Sequence, residues 1–456
     1  MDSAYVVEKQ RAFFRSGGTL PLSARHDALK KLYAAIRRYE TELQQALRLD
    51  LGKSSAEAFM CEIGLVLSEI AYVDRRLNRW AGTKCKPTPL TSFPALSRIV
   101  QEPYGVVLIM SPWNYPVLLS LEPLVGAIAA GNCAVLKPSA YSPHTSGVLT
   151  RLVRETFAEE YIAVVTGGRA ENQDLLEQRF DYIFFTGGVC VGRLVMEKAA
   201  KHLTPVTLEL GGKSPCIIDR TADLPLAARR IAFGKWLNCG QTCIAPDYVL
   251  VEREVHDELI RLLKDEVRKM FYSGDSLSAD YGRIVNRKHF DRLSALLNPS
   301  KVVLGGKLFP QTLQIEPTVM DNITPEDAVM QEEIFGPLLP VMTVDSVQEA
   351  RDFVLSREKP LALYLFSADK KVQREFVRTV SFGGGCINDT VMHIASSSLP
   401  FGGVGNSGMG AYHGKQSFST FSHAKSVVCK PGWLDLPLRY APYTAWKERL
   451  IRLFLR

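Results

Sequence analysis

Cys243 sits in Asn238-Cys-Gly-Gln-Thr-Cys243-Ile-Ala245, thirty-four residues after Glu209 in Leu208-Glu-Leu-Gly-Gly-Lys-Ser-Pro215. The first segment offers a thiol among small, turn-forming residues. The second offers a lone carboxylate inside an apolar, glycine-rich stretch. Acyl transfer through a thioester needs these two parts, a soft nucleophile and a base that later activates water. Taken singly, each has a plainer reading: a small packed hydrophobe for the cysteine, and a turn residue for the glutamate beside Gly-Gly. Only in company with further motifs does the chemical reading win.

Several such motifs lie at the ends of apolar runs. Asn114 stands in Ser111-Pro-Trp-Asn-Tyr-Pro116, directly after Val106–Met110, where two prolines stiffen a turn and an amide could donate to an oxyanion. Asparagine is also an ordinary turn residue, and by itself that reading is preferred. Lys137 follows Cys133–Leu136 and brings an ammonium to a strand's carboxyl end, where open α/β sheets bind ligands. A solvated lysine would look the same. In Phe184-Phe-Thr-Gly187-Gly188-Val-Cys-Val-Gly192 a strand runs into a glycine-bounded turn and a helix, whose first N–H groups could face a pyrophosphate. Two apparent signatures fail. Gly403-Val-Gly405-Asn-Ser-Gly408 follows no buried strand, and Gly211-Gly-Lys-Ser214 has Thr207 where a phosphate loop needs its first glycine. Cys239 and Cys243 form C-x3-C with no further ligand pair at matching spacing, so no metal site is expected.

The elements that must position these residues can be read from periodicity. Leu29, Leu32, Ile36, Tyr39, Leu43 and Leu47 keep a helical period across Leu22 to Leu51, with Ser23 as the expected N-cap. A second helix is expected over residues 55–80. The prolines of Lys84 to Pro94 then favour an extended excursion. After Pro103, apolar runs at 106–110, 133–136, 162–165 and 182–185 alternate with helical segments, the pattern of βαβ units around a parallel sheet covered on both faces. Runs at 215–219, 249–251, 301–304 and 361–366 repeat that texture and predict a second α/β unit, with Glu209 at the seam.

Bulk properties narrow the class. A chain of 456 residues exceeds one ordinary core. Its net charge of +7 is scattered, which argues against a nucleic-acid partner. Nine irregularly spaced cysteines and no secretory signal favour a reducing, cytoplasmic setting. No stretch approaches the ~20 apolar residues of a membrane span. Residues 443–456 do combine Trp446, Leu450, Ile451, Leu453 and Phe454 with Lys447, Arg449, Arg452 and Arg456. A basic amphipathic helix of that kind either docks on its own protein, the commoner case, or lies on a membrane surface.

Seven of these motifs, in order, resemble the NAD(P)-dependent aldehyde dehydrogenases: Ser111-Pro-Trp-Asn-Tyr-Pro116, Lys137-Pro138, Phe185-Thr-Gly187, Leu208-Glu-Leu-Gly-Gly-Lys213, Gly240-Gln-Thr-Cys243, Glu332-Glu-Ile-Phe-Gly-Pro337 and Pro400-Phe-Gly-Gly403. The short N-terminus and Leu399 to Gly410 look most like the class 3 subgroup of fatty and aromatic aldehyde dehydrogenases. The resemblance implies a Rossmann-like cofactor domain (1–82 and 102–210), an α/β catalytic domain (211–386), a bridging element (83–101 and 387–430) that makes a homodimer, and a tail (431–456). It implies Cys243 as nucleophile, Glu209 as general base, and Asn114 with the Cys243 N–H as oxyanion donors. Lys137 would hold the adenosine ribose of NAD or NADP. Gly187, Gly188 and Gly192 would shape the pyrophosphate turn, Glu333 would bind the nicotinamide ribose, and Phe335 would pack by the nicotinamide. Tyr115 and Leu237 would flank an apolar aldehyde. Two departures stand out: Ala140 where many relatives carry a Glu, and Gly188 where they often carry Ser. Loss of the Glu, which would repel a 2′-phosphate, predicts that NADP is accepted beside NAD. A relative that passes the acyl group to coenzyme A is the alternative, and Glu209 argues for water.

Overall fold

A computed structural model describes residues 3–455. Five parallel strands form the first sheet in the order Val206–Leu210, Tyr182–Gly187, Val106–Met110, Cys133–Lys137 and Ile162–Val164, with Gly408–Met409 antiparallel on the outer edge of the first. Alternate residues of one strand feed two cores. Val107 and Ile109 pack beneath helices Leu22–Leu51, Leu118–Ala130 and Pro143–Thr156, whereas Val106, Leu108 and Met110 pack beneath Ser3–Arg15, Arg169–Glu177 and Val189–Ala200. Burial on both faces is why these strands read as continuous apolar runs rather than as alternation. The order of the strands reverses between Val106–Met110 and Tyr182–Gly187. At such a switch point the connections leave in opposite directions and open a crevice at the carboxyl ends.

The second sheet has seven strands, in the order Val302–Leu304, Thr318–Met320, Leu338–Val344, Tyr248–Glu252, Pro215–Ile218, Ala362–Phe366 and Gly384–Ile387, parallel except at the first. A third, antiparallel sheet joins Lys84–Lys86, Leu96–Pro103 and Ser422–Cys429, the last pairing with its neighbour along all eight residues. This α/β architecture is the expected fold class.

Two helical expectations need correction. Helix Leu22–Leu51 begins at Leu22 with Pro21 in the capping position, so Ser23 lies inside the first turn and caps nothing. The fixed φ of proline sets the entry instead. The helix expected over 55–80 is broken into Ser55–Ala58, a π-turn Phe59–Ile63, Gly64–Asp74 and Leu77–Ala81. The wide turn coincides with a demand of the tertiary structure: Glu57 and Glu62 must both reach buried partners near the site. Helix Ala445–Phe454 has no buried residue, although Ile451 and Phe454 line a groove with Leu90 and Phe93. Among the described residues no helix is long and apolar enough to cross a membrane.

Candidate active site

Cys243 lies in the segment that joins helix Leu224–Trp236 to strand Tyr248–Glu252. That segment takes an unusual path. Asn238, Cys239 and Gly240 are consecutive left-handed residues, with φ of 50°, 54° and 72°. Each non-glycine residue held there costs on the order of 1–2 kcal/mol, so the neighbours must impose it. They do so by hydrogen bonds. Glu57 Oε1 accepts the Asn238 N–H at 2.9 Å, the Asn238 amide donates to Asn114 O at 2.8 Å, and the Gln241 amide bridges to the carbonyls of Asn238 (3.1 Å) and Arg283 (3.0 Å). Glycine is obligatory at 240, because a Cβ would lie 2.2 Å from Gly336 O. The turn presents Cys243 half-buried at the cavity wall while Cys239 is packed at 2% exposure.

Asn114 comes from the other side of the switch point. Its amide donates to Gln241 O at 3.0 Å, which ties it to the cysteine turn and leaves a second N–H on the same nitrogen. Behind it lies a fully buried ion pair. Lys53 Nζ is 2.6 Å from Glu62 and donates to Asn114 O at 3.0 Å, and Glu62 Oε2 accepts the N–H groups of Val117 and Leu118. Glu209, on strand Val206–Leu210, is 3% exposed, and neither carboxyl oxygen has a hydrogen-bond partner in the protein. Burial holds its carboxyl well above the usual range. Burial and the carboxylates of Glu333 and Glu209 likewise push the Cys243 thiol up, against the pull of the Cys243 and Ile244 N–H groups.

Two cavities meet at these residues. A cleft at the switch point is lined by Trp113, Asn114, Gly187, Gly188, Glu333 and Phe335, and a tunnel by Tyr115, Leu118, Leu237, Ile244, Phe401 and Tyr412. Cys243 and Glu209 line both. The tunnel is apolar apart from a few groups, and Tyr115 closes part of its wall with its hydroxyl 2.6 Å from Thr242 Oγ1.

The cleft suits a dinucleotide. Helix Val189–Ala200 starts at Gly188, so its unpaired N–H groups and dipole face the opening. A Cβ at Gly188 would meet nothing, so the departure from Ser there strains nothing. Glu333 has one oxygen without a partner, is pushed up to about 8 by burial and by Asp247, and fits only because position 211 is glycine. A Cβ on Gly211 would be 2.0 Å from its carboxylate. Phe335, itself left-handed at φ 50°, meets Trp113 edge-on at 5.3 Å.

Two of the expected cofactor residues do not line the cleft. Lys137 donates to the carbonyls of Gly167 at 2.7 Å and Pro138 at 3.0 Å, and desolvation lowers it. Gly192 faces Leu210, which a Cβ would approach to 2.6 Å. Lys53, Glu57, Glu62, Asn238 and Gln241 escaped the sequence reading. Each acts through contacts at a sequence distance that no local pattern records, although the adjacency of Asn238 and Gln241 to Cys243 was a usable hint.

The whole-chain comparisons agree with this geometry. Residues 1–427 match the model of the aldehyde dehydrogenase family. The chain is 49% identical to 4,4'-diaponeurosporen-aldehyde dehydrogenase of Staphylococcus aureus, over 98% of this chain and 97% of that one. It is 46% identical to aldehyde dehydrogenase family 3 member A2 of Mus musculus, over 98% and 93%. A solved structure, the substrate-bound state of Staphylococcus aureus AldH, superposes with a TM-score of 0.97 at 48% identity and covers 99% of both chains. The chain therefore belongs to the aldehyde dehydrogenase family, as an NAD(P)-dependent oxidoreductase that converts aldehydes to acids.

Proposed function

We propose that Cys243 attacks the aldehyde, that Asn114 and the Cys243 N–H hold the resulting oxyanion, and that Glu209 activates the water that hydrolyses the thioester. The observation that carries this reading is that Cys243 and Glu209 alone of these three line both cavities, so substrate and cofactor can reach the same sulfur from opposite sides. NAD(P)+ in the cleft supplies the hydride acceptor. Glu333 would hold a ribose of the cofactor through its unpartnered oxygen, Phe335 would bound the nicotinamide, and Gly187 and Gly188 would give the phosphates room beside the helix start. Lys137 would hold the adenosine ribose, and Gly192 would bound the pyrophosphate turn from behind, against Leu210. The thiol, raised by burial, ionises with help from the Cys243 and Ile244 N–H groups, and collapse of the oxyanion expels hydride towards the cleft. One well-placed oxyanion donor is worth roughly 3–4 kcal/mol. A carboxyl held above its ordinary range by burial, such as Glu209, is a stronger base than a free carboxylate. Cys243→Ala should abolish aldehyde-dependent NADH formation, and undiminished turnover would refute the assignment.

The apolar tunnel, with Tyr115 and Leu237 in its wall, favours medium or long aliphatic or aromatic aldehydes. Water rather than coenzyme A takes the acyl group, because an unpartnered carboxylate lines the tunnel beside the sulfur. Residues 1–82 and 102–210 serve the cofactor, 211–386 the chemistry, and 83–101 with 387–430 the assembly. The eight-residue strand Ser422–Cys429 is an open sheet edge, and an unprotected edge of that length asks for a second strand. A homodimer paired there supplies it. The tail 431–456 exposes Trp433 (79%) and Trp446 (55%) among basic residues, which suits peripheral contact with an anionic membrane.

A further inference from the structure

Asn238 carries two costs at once. Its backbone is left-handed at φ 50°, and its side-chain Oδ1, buried with the rest of the residue, has no hydrogen-bond partner in the protein. Asparagine tolerates the left-handed region better than most side chains, but glycine enters it freely. A buried oxygen without a donor is destabilising. Glycine at 238 would remove both penalties. What glycine could not supply is the side-chain amide.

Asn238 Nδ2 donates to Asn114 O at 2.8 Å and to Gln241 O at 3.2 Å. Asn114 closes the ring, because its own Nδ2 donates to Gln241 O at 3.0 Å. Two carbonyls therefore face the Asn238 nitrogen, which is why its Oδ1 is turned away and left alone. A second donor reaches the same Asn114 oxygen: Lys53 Nζ, at 3.0 Å, which also stands 3.9 Å from the centre of the Tyr115 ring. Both lone pairs of the Asn114 carbonyl are thereby filled. The peptide unit is rigid, so a carbonyl held from two sides fixes the plane of the 114–115 peptide. At the other end of the side chain, the bond to Gln241 O decides which way the Asn114 amide faces, because only its nitrogen can donate. One N–H of Asn114 is used on Gln241, and the other remains. Asn114 and Cys243 both line the cleft.

We propose that Asn238, with Lys53 on the same carbonyl, is a positioning residue for the oxyanion step, holding the Asn114 amide so that its remaining N–H meets the aldehyde oxygen. The proposal rests on the assignment of Asn114 as an oxyanion donor. When the Cys243 thiolate bonds to the aldehyde carbon, the carbonyl π pair moves onto oxygen. A donor already aimed at that oxygen needs no reorganisation as the charge forms, and a small misplacement forfeits much of its effect. Asn238 lines neither cavity, so it acts through Asn114 and not on the substrate. The left-handed backbone and the orphan oxygen are the stability given up for that direction, and strained residues of this kind gather at functional sites.

The experiment compares full-length enzyme with Asn238→Gly, Asn114→Ala and the double variant, with octanal and NAD+ at enzyme excess. Asn238→Gly should unfold in urea close to the parental midpoint, because glycine relieves the backbone and removes the orphan oxygen. Its single-turnover rate of NADH formation should nevertheless fall by about tenfold or more, short of the roughly 10²–10³ lost with an oxyanion donor itself. Alkylation of Cys243 by iodoacetamide, followed on its peptide by mass, forms no oxyanion and should stay within about twofold of the parent. In the Asn114→Ala background the glycine substitution should cost no more than about threefold, since changes within one hydrogen-bond network are not additive. If the glycine variant is too unstable to assay, Lys53→Met with Glu62→Leu removes the other donor to Asn114 O and carries the same test. Parental NADH formation beside a large loss in Asn114→Ala refutes the positioning role and leaves the oxyanion assignment standing. Alkylation slowed as much as turnover overturns it too, by showing that the sulfur itself has moved, and so do losses that multiply in the double variant. If Asn114→Ala turns over at the parental rate, the oxyanion assignment fails and the proposal falls with it.

Discussion

Cys243 shows how much a residue's role depends on its surroundings. Cys239 has the same chemistry four positions earlier, yet it is sealed in the core against Gly282 while Cys243 faces two cavities. Glu209 and Glu333 share a different logic, that of carboxyls raised by burial. For Glu333 the sign of the consequence is definite. A folded value of about 8, above the ordinary 4.5, means that the native state binds the proton more tightly than the unfolded chain. Its contribution to stability is present below about 4.5 and is lost as pH rises through about 8, with a slope of at most about 1.4 kcal/mol per pH unit. Denaturant titrations at pH 5 and pH 8 should therefore show a smaller loss for Glu333→Gln than for the parent, and equal losses would exclude the effect. With Ala140 in place of the carboxylate proposed to repel a 2′-phosphate beside Lys137, NADP should serve beside NAD. A preference of several hundredfold for NAD in steady-state kinetics would contradict this.

The turns that carry Asn114 and Cys243 are held at the scale of elements. The π-turn Phe59–Ile63, the strand-end turn carrying Asn114 and the left-handed turn before Cys243 are clamped together by Lys53, Glu62, Glu57 and Asn238. Replacing Lys53 by Met leaves Glu62 charged or protonated without its partner in the interior, which costs about 3–5 kcal/mol. Lys53→Met with Glu62→Leu should recover part of that loss in urea titrations, because an apolar pair leaves no orphan charge. No recovery would mean that the pair acts through shape alone. Gly240→Ala is the matching test of the turn. With φ at 72° and a backbone oxygen 2.2 Å from the new Cβ, it should destabilise the fold and depress kcat far more than a solvent-facing Gly→Ala substitution such as Gly274→Ala.

At the scale of the molecule, two surfaces carry expectations. If the open edge Ser422–Cys429 pairs with a second copy, proline at Val428, which is 57% exposed, should shift the mass measured by light scattering from dimer to monomer. An unchanged mass would move the interface elsewhere. The tail has no buried residue in its helix and carries six basic against two acidic residues between 430 and 456. Removing residues 443–456 should abolish sedimentation with phosphatidylserine vesicles at low salt. Unchanged binding would dispose of the membrane contact.

Much of the fold was legible in the sequence because its signals are local. Strands buried on both faces are continuous apolar runs, and their ends carry Asn114, Lys137, Gly187 and Glu209 in plain view. The types and order of these residues were enough to identify the chemistry. What local pattern could not register was anything made by distant residues meeting. The broken helix after Ser55, the buried Lys53–Glu62 pair and the three left-handed residues before Cys243 all answer demands of burial and hydrogen bonding that exist only once the chain is closed. Hydropathy and spacing are properties of a segment. Desolvation and the satisfaction of buried polar groups belong to the packed whole, and for that reason the tertiary structure decided which thiol, which carboxylates and which cavities work together.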